Sequence, residues 1–80
     1  MAQKSFSKAD FSKRLRDLRE KNNLTQAEVA DILNMERSTY THYEIQSSEP
    51  NISTLFRLAE FYKTSIDFLV CRTDDPKPYK

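Results

Sequence analysis

The side chains best equipped for chemistry are Arg37, Ser38, Thr41 and His42, within the stretch ILNMERSTYTHYE. Their spacing, i, i+1, i+4 and i+5, lines them along one edge if the stretch is helical. Arginine brings five donors in a planar fork, while serine, threonine and histidine each donate or accept. Such an edge suits hydrogen bonding to an external polar partner; the plain alternative is a solvated helix face. It does not suit catalysis. His42 is the only histidine and Cys71 the only cysteine, which leaves no zinc ligand set, no Ser-His-Asp arrangement and no intramolecular disulfide. The chain has no glycine, so a phosphate-cradling Gly loop is also missing. No enzyme activity, metal or cofactor is expected.

The elements that must hold this edge follow from periodicity. Phe11, Leu15 and Leu18 recur at i, i+4 and i+7 and predict a first helix over 8–22, opened by Ser7 and Asp10 and flanked by a Phe6–Phe11 staple. Thr25 and Glu28 repeat that start signal, with Leu24 and Val29 as its staple, for a second helix to about Leu33. Ala27, Ala30 and Leu33, or its neighbour Ile32, are its expected inward face. Continued to residue 45 as one helix, it would carry apolar residues on nearly all sides. Two helices need a reversal near Asn34, and asparagine is the best non-glycine residue for the left-handed conformation at a helix end. Met35 then tucks inward and Glu36 opens a third helix over 36–45. Asn51 caps a fourth, 52–62, and Ser65 a fifth, 66–71. The expectation is an all-α domain over 7–71, between loose tails at 1–6 and 72–80.

Eighty residues suit one small domain with a thin core, for which dimerisation is a natural supplement. The lone cysteine and the lack of an apolar run of about 18 residues point to a cytoplasmic protein without a membrane span or signal peptide. Net charge is +1, but it is unevenly spread. Residues 1–24 carry seven basic and three acidic side chains; residues 25–50 carry one basic and five acidic.

Residues 11–73 carry a set of ordered signals: Arg19, Leu24-Thr25-Gln26, the run from Asn34 to Glu44, Pro50, Ala59 and the ending IDFLVCRTDDP. Together they resemble the helix-turn-helix domain of Xre-type regulators, the family of the phage Cro and CI repressors. The resemblance implies a five-helix, lambda-repressor-like DNA-binding domain. At four positions where members often have glycine, this chain has Asn23, Asn34, Gln46 and Cys71. A positive φ at Gln46 or Cys71 costs roughly 1 kcal/mol each relative to glycine.

Carried over by position, the resemblance makes Arg37, Ser38, Thr41 and His42 the readers of base edges in the major groove of double-stranded DNA. Arginine suits guanine O6 and N7, where a bidentate pair discriminates by about 1–3 kcal/mol. Gln26, with Thr25 at the start of the second helix, is implied to hold a backbone phosphate. Lys13, Arg14 and Ser47 are further phosphate candidates, with Lys4 or Lys8 as an arm. Arg19 and Glu44 fall on positions that form a structural ion pair, and Tyr40 and Tyr43 share the face of Glu44, which marks them as core. Glu36 favours the positive end of the third helix. The implied action is that of a repressor, binding as a homodimer to a pseudo-palindromic operator. Ile66, Phe68, Leu69 and Val70 are the candidate dimer surface. The acidic balance of 25–50 motivates a rival: a protein-binding module on the same scaffold, such as an antitoxin or a partner of an anti-repressor.

Overall fold

The computed structural model describes residues 5–77. Five helices follow in order: α1 (Lys8–Lys21), α2 (Gln26–Ile32), α3 (Arg37–Glu44), α4 (Ile52–Tyr62) and α5 (Ile66–Leu69). No strand occurs among the described residues. Residues 1–4, with Lys4, and 78–80 lie outside the described part.

Four helix starts use the side chains their sequence predicts. Ser7 accepts from the Asp10 amide, Asn51 from Thr54, and Ser65 from Phe68. At α2 the box is reciprocal: Thr25 accepts from the Glu28 amide at 3.1 Å while Glu28 accepts from the Thr25 amide at 2.8 Å. The Phe6 and Phe11 rings meet with centroids 6.1 Å apart, as a staple requires. The exception is α3, whose N-cap, Glu36, makes no side-chain cap bond.

The helix ends share one device. Asn23, Asn34, Gln46, Lys63 and Cys71 all have φ between 55° and 68°. After each, the next amide reaches back five residues to a carbonyl of the last turn. Leu24 bonds Arg19 at 3.2 Å, Met35 bonds Ala30 at 2.9 Å, and Ser47 bonds His42 at 3.0 Å. Thr64 bonds Ala59 at 2.9 Å, and Arg72 bonds Asp67 at 2.8 Å. This is the Schellman closure, which satisfies carbonyls that otherwise lack a partner. Four of the five left-handed positions are those where glycine was noted as replaced; Lys63 is an addition.

The core gathers Phe11 and Leu15 from α1, Val29 and Ala30 from α2, Tyr40 and Tyr43 from α3, Leu58, Ala59 and Tyr62 from α4, and Leu69 from α5. Leu33 joins them, and Leu24 and Met35 pack against them from the positions just after left-handed residues or at α2's end. The expected inward face of α2 needs one correction: Ala27 is exposed and Val29 is buried. Ala27 lies in the first turn, whereas the buried Val29, Ala30 and Leu33 lie in the second turn and at the helix end. The fifth helix is also shorter than expected, four residues ending at Leu69, because the chain turns left-handed at Cys71.

α3 packs on both α2 and α1, while α5 packs on α4 and α1. Tyr40 and Tyr62 hydroxyls meet at 2.9 Å and join α3 to α4. Where the sequence predicts a loose tail, residues 73–76 are fastened. Arg14 donates to the Thr73 carbonyl at 2.8 Å and to Asp74 at 3.0 Å, and Thr64 donates to the Pro76 carbonyl at 2.7 Å.

Candidate nucleic-acid interface

The reversal at Asn34 turns the predicted polar edge outward. Arg37, Ser38 and His42 are exposed on α3. None of them makes a side-chain hydrogen bond or ion pair to the described residues. On the opposite side of α3, Tyr40, Tyr43 and Glu44 are buried. A helix of eight residues with one side sealed and the other bare is therefore held by its neighbours and not by its own propensity.

A polar chain across three helices does the holding. Arg19 on α1 donates Nε to Glu44 Oε2 at 2.8 Å and Nη2 to Oε1 at 3.0 Å. Its Nη1 donates to the Leu24 carbonyl at 2.9 Å. Gln26 Nε2, at the start of α2, donates to Glu44 Oε1 at 3.1 Å. Thr41 Oγ1, back on α3, donates to Gln26 Oε1 at 3.0 Å. The Glu44 and Arg19 side chains are only 1% and 13% exposed. Burial by itself would raise the Glu44 carboxyl. Hydrogen bonds from Arg19, Tyr40 and Gln26 outweigh it and hold the group below its usual range. The bond to Glu44 in turn raises the Arg19 guanidinium. Burial pushes the Tyr40 phenol well up and that of Tyr62 to about 12, so both stay neutral in the core.

The other predicted contacts separate into two groups. Thr25 is exposed beside Gln26, its hydroxyl engaged in the cap, and Ser47 is exposed in the loop after α3. These adjoin the polar edge. Lys13 and Arg14 do not. Both line a cleft with Asp10, Asp17 and Asp74, where carboxylates match their charge. Lys13 pairs with Asp17 at 3.4 Å on the surface. Arg14 donates to the Phe68 and Thr73 carbonyls and to Asp74, and its guanidinium lies 4.1 Å from the centre of the Phe68 ring. The structure thus gives Arg14 the work of fastening α5 and the segment after it. Lys8 is the first residue of α1 and no longer an arm.

Two features escape sequence reasoning. Arg57 on α4 donates to the Leu33 carbonyl at the end of α2 and ties the fourth helix to the turn. No spacing rule links residues that far apart; only the packed fold brings them together. The second is acidity close to the polar edge: Asp31 and Glu36 line the same cleft as Arg37, over a floor that includes Ala27, Ala30 and Met35.

The comparisons with known proteins agree with this geometry. The model of the family described as Helix-turn-helix matches residues 15–69. The chain is 37% identical over 68 residues to the uncharacterized HTH-type transcriptional regulator YobD of Bacillus subtilis, covering 85% of this chain and 61% of that protein. It is 40% identical over 60 residues to the cryptic phage CTXphi transcriptional repressor RstR of Vibrio cholerae, covering 75% and 54%. It is 34% identical over 67 residues to the HTH-type transcriptional regulator ImmR of Bacillus subtilis, covering 84% and 53%. The chain spans between 53% and 61% of the length of these relatives.

Proposed function

This chain belongs to the Xre-type helix-turn-helix family of transcriptional regulators, and from that premise we propose that it represses transcription by binding an operator through α3. One observation carries the reading. Arg37, Ser38 and His42 stand unengaged and exposed on a short helix whose opposite side is locked by a buried ion pair. A firmly held helix that presents uncommitted donors outward is what base reading demands, since the helix sets where they meet the groove and the donors stay available for base edges. Arg37 is assigned to guanine, with Ser38 and His42 on adjoining base edges. Thr25, Gln26 and Ser47, which border that edge, contact phosphates and set the register. Such a protein works in the cytoplasm, and no reaction is assigned to it.

Binding as a homodimer fits so small a core. The pairing surface, however, moves from the one expected. Leu69 is fully buried, and Ile66, Phe68 and Val70 are partly covered. Ile52 and Phe56, at i and i+4 on α4, are 81% and 59% exposed and supply the larger apolar face. We assign the dimer contact to that face.

A selection of bound duplexes from random DNA tests the reading. Two half-sites related by a two-fold axis are expected, with centres one helical turn, ~34 Å, or a multiple of it apart. In the same assay Arg37→Ala loses about 1–3 kcal/mol and relaxes preference at one base pair. The second reading, a protein-binding module, draws on Asp31 and Glu36 beside Arg37. It predicts no selected duplex, and a partner whose binding survives Arg37→Ala.

A further inference from the structure

The polar chain fixes where every hydrogen on it points. Glu44 is an ionised carboxylate and can only accept. Gln26 must therefore turn its NH2 toward Glu44, which leaves Oε1 facing Thr41. An amide oxygen can only accept, so the single hydroxyl hydrogen of Thr41 is committed to Gln26. Two consequences follow. Thr41 is left with lone pairs and a methyl group, on a half-buried side chain, and has no donor for a base. Gln26 keeps one amide hydrogen with no partner among the described residues, held in direction at both ends of its side chain.

We propose that Thr41 reads no base and is a positioning residue that orients the Gln26 amide toward the DNA backbone. Reading then falls to Arg37, Ser38 and His42. This rests on the DNA-binding reading above and refines the division of labour on the recognition helix. Without the Thr41 hydroxyl, Gln26 Oε1 loses its fixed partner and the amide rotates about its bond to Glu44. The cost is then felt through phosphate, equally on every sequence.

The test compares Thr41→Val, which keeps the shape of the side chain, with Thr41→Ser, which keeps the hydroxyl, on duplexes selected by the wild-type chain. Thr41→Val is expected to lose about three- to ten-fold in affinity, the effect of one hydrogen bond, by the same factor on every selected site. The slope of log affinity against log salt should stay as it is, because the Gln26 amide is neutral and its phosphate bond releases no counterion. Thr41→Ser should restore the affinity. In the free protein, the side-chain amide resonances of Gln26 should move in Thr41→Val and return in Thr41→Ser. Relaxed preference at a single base pair would make Thr41 a reader and overturn the proposal. So would unchanged Gln26 resonances, or unchanged affinity. A wild-type chain that selects no duplex overturns the DNA reading itself, and this proposal with it, before any variant is made.

Discussion

Arg19 and Glu44 show how much one pair of side chains decides. Glu44 is buried and Arg19 largely covered, the two are joined by a two-point fork, and Glu44 also accepts from Gln26. Removing one partner strands the other charge, at a cost of about 3–5 kcal/mol. A domain of eighty residues holds roughly 4–12 kcal/mol in all, at about 0.05–0.15 per residue. Arg19→Met is therefore expected to take a large share of the stability, measurable as a marked fall of the urea midpoint. The pair also sets an acid limit. Glu44 sits below its usual pKa when folded, so the unfolded chain takes up the proton first. Its contribution is complete above the unfolded value of about 4.3 and fades as pH falls through the lower folded value. Urea titrations from pH 6 down to pH 3 should show that loss, and Glu44→Gln should flatten this limb while lowering stability at pH 6. An equally steep limb in the variant would assign the acid sensitivity to other carboxylates. At this scale the pair is legible through the family resemblance, and the outward Arg37, Ser38 and His42 through local spacing, which sets them on the side of α3 opposite Tyr40, Tyr43 and Glu44. Arg14 is not. Its fate depends on Phe68 and Thr73, residues more than fifty positions away.

Among the elements, the helix ends carry the strain. Five Schellman closures are made without glycine, and two of them, at Gln46 and Lys63, place long side chains in the left-handed region. Asparagine tolerates that conformation through its short polar side chain; glutamine and lysine gain no such help. Gln46→Gly and Lys63→Gly should each stabilise the fold by about 0.5–1 kcal/mol, seen as higher denaturation midpoints. Glycine at neither site gaining anything would mean that its own entropy loss cancels the relief. The reversal at Asn34 matters more than the others, because it sets the direction of α3. It is braced from both sides: Met35 packs inward and bonds Ala30, and Arg57 holds the Leu33 carbonyl. A helix start without a side-chain cap, as at Glu36, is affordable where the preceding turn is fixed so firmly.

Across the whole molecule, charge and apolar surface decide how a duplex and a second copy are met. Basic residues concentrate in 1–24, while the polar edge of α3 lies among Asp31 and Glu36. Lys13 and Arg14 are matched by nearby carboxylates. Few phosphates are then neutralised, and the salt dependence of operator binding should be shallow for a repressor. A titration over several salt concentrations should give a slope well short of about −8, and a slope that steep would mean roughly nine neutralised phosphates. The exposed Ile52 and Phe56 face gives a second expectation. Phe56→Asp should shift the chain toward monomer in sedimentation equilibrium and remove cooperative binding to paired half-sites, with the fold intact. A dimer undisturbed by that change would put the contact elsewhere.

The sequence by itself determined the helices, four of the five starts, the left-handed reversal at Asn34, and which side of α3 is sealed. These depend on interactions within a few residues, where type and spacing are enough. Only the tertiary structure decided what is joined across the chain. It committed Arg14 to the C-terminal segment, took Thr41's hydrogen for Gln26, set Arg57 on the turn, and left Ile52 and Phe56 uncovered. Each of those outcomes rests on partners far apart in sequence, which become neighbours only when the helices pack.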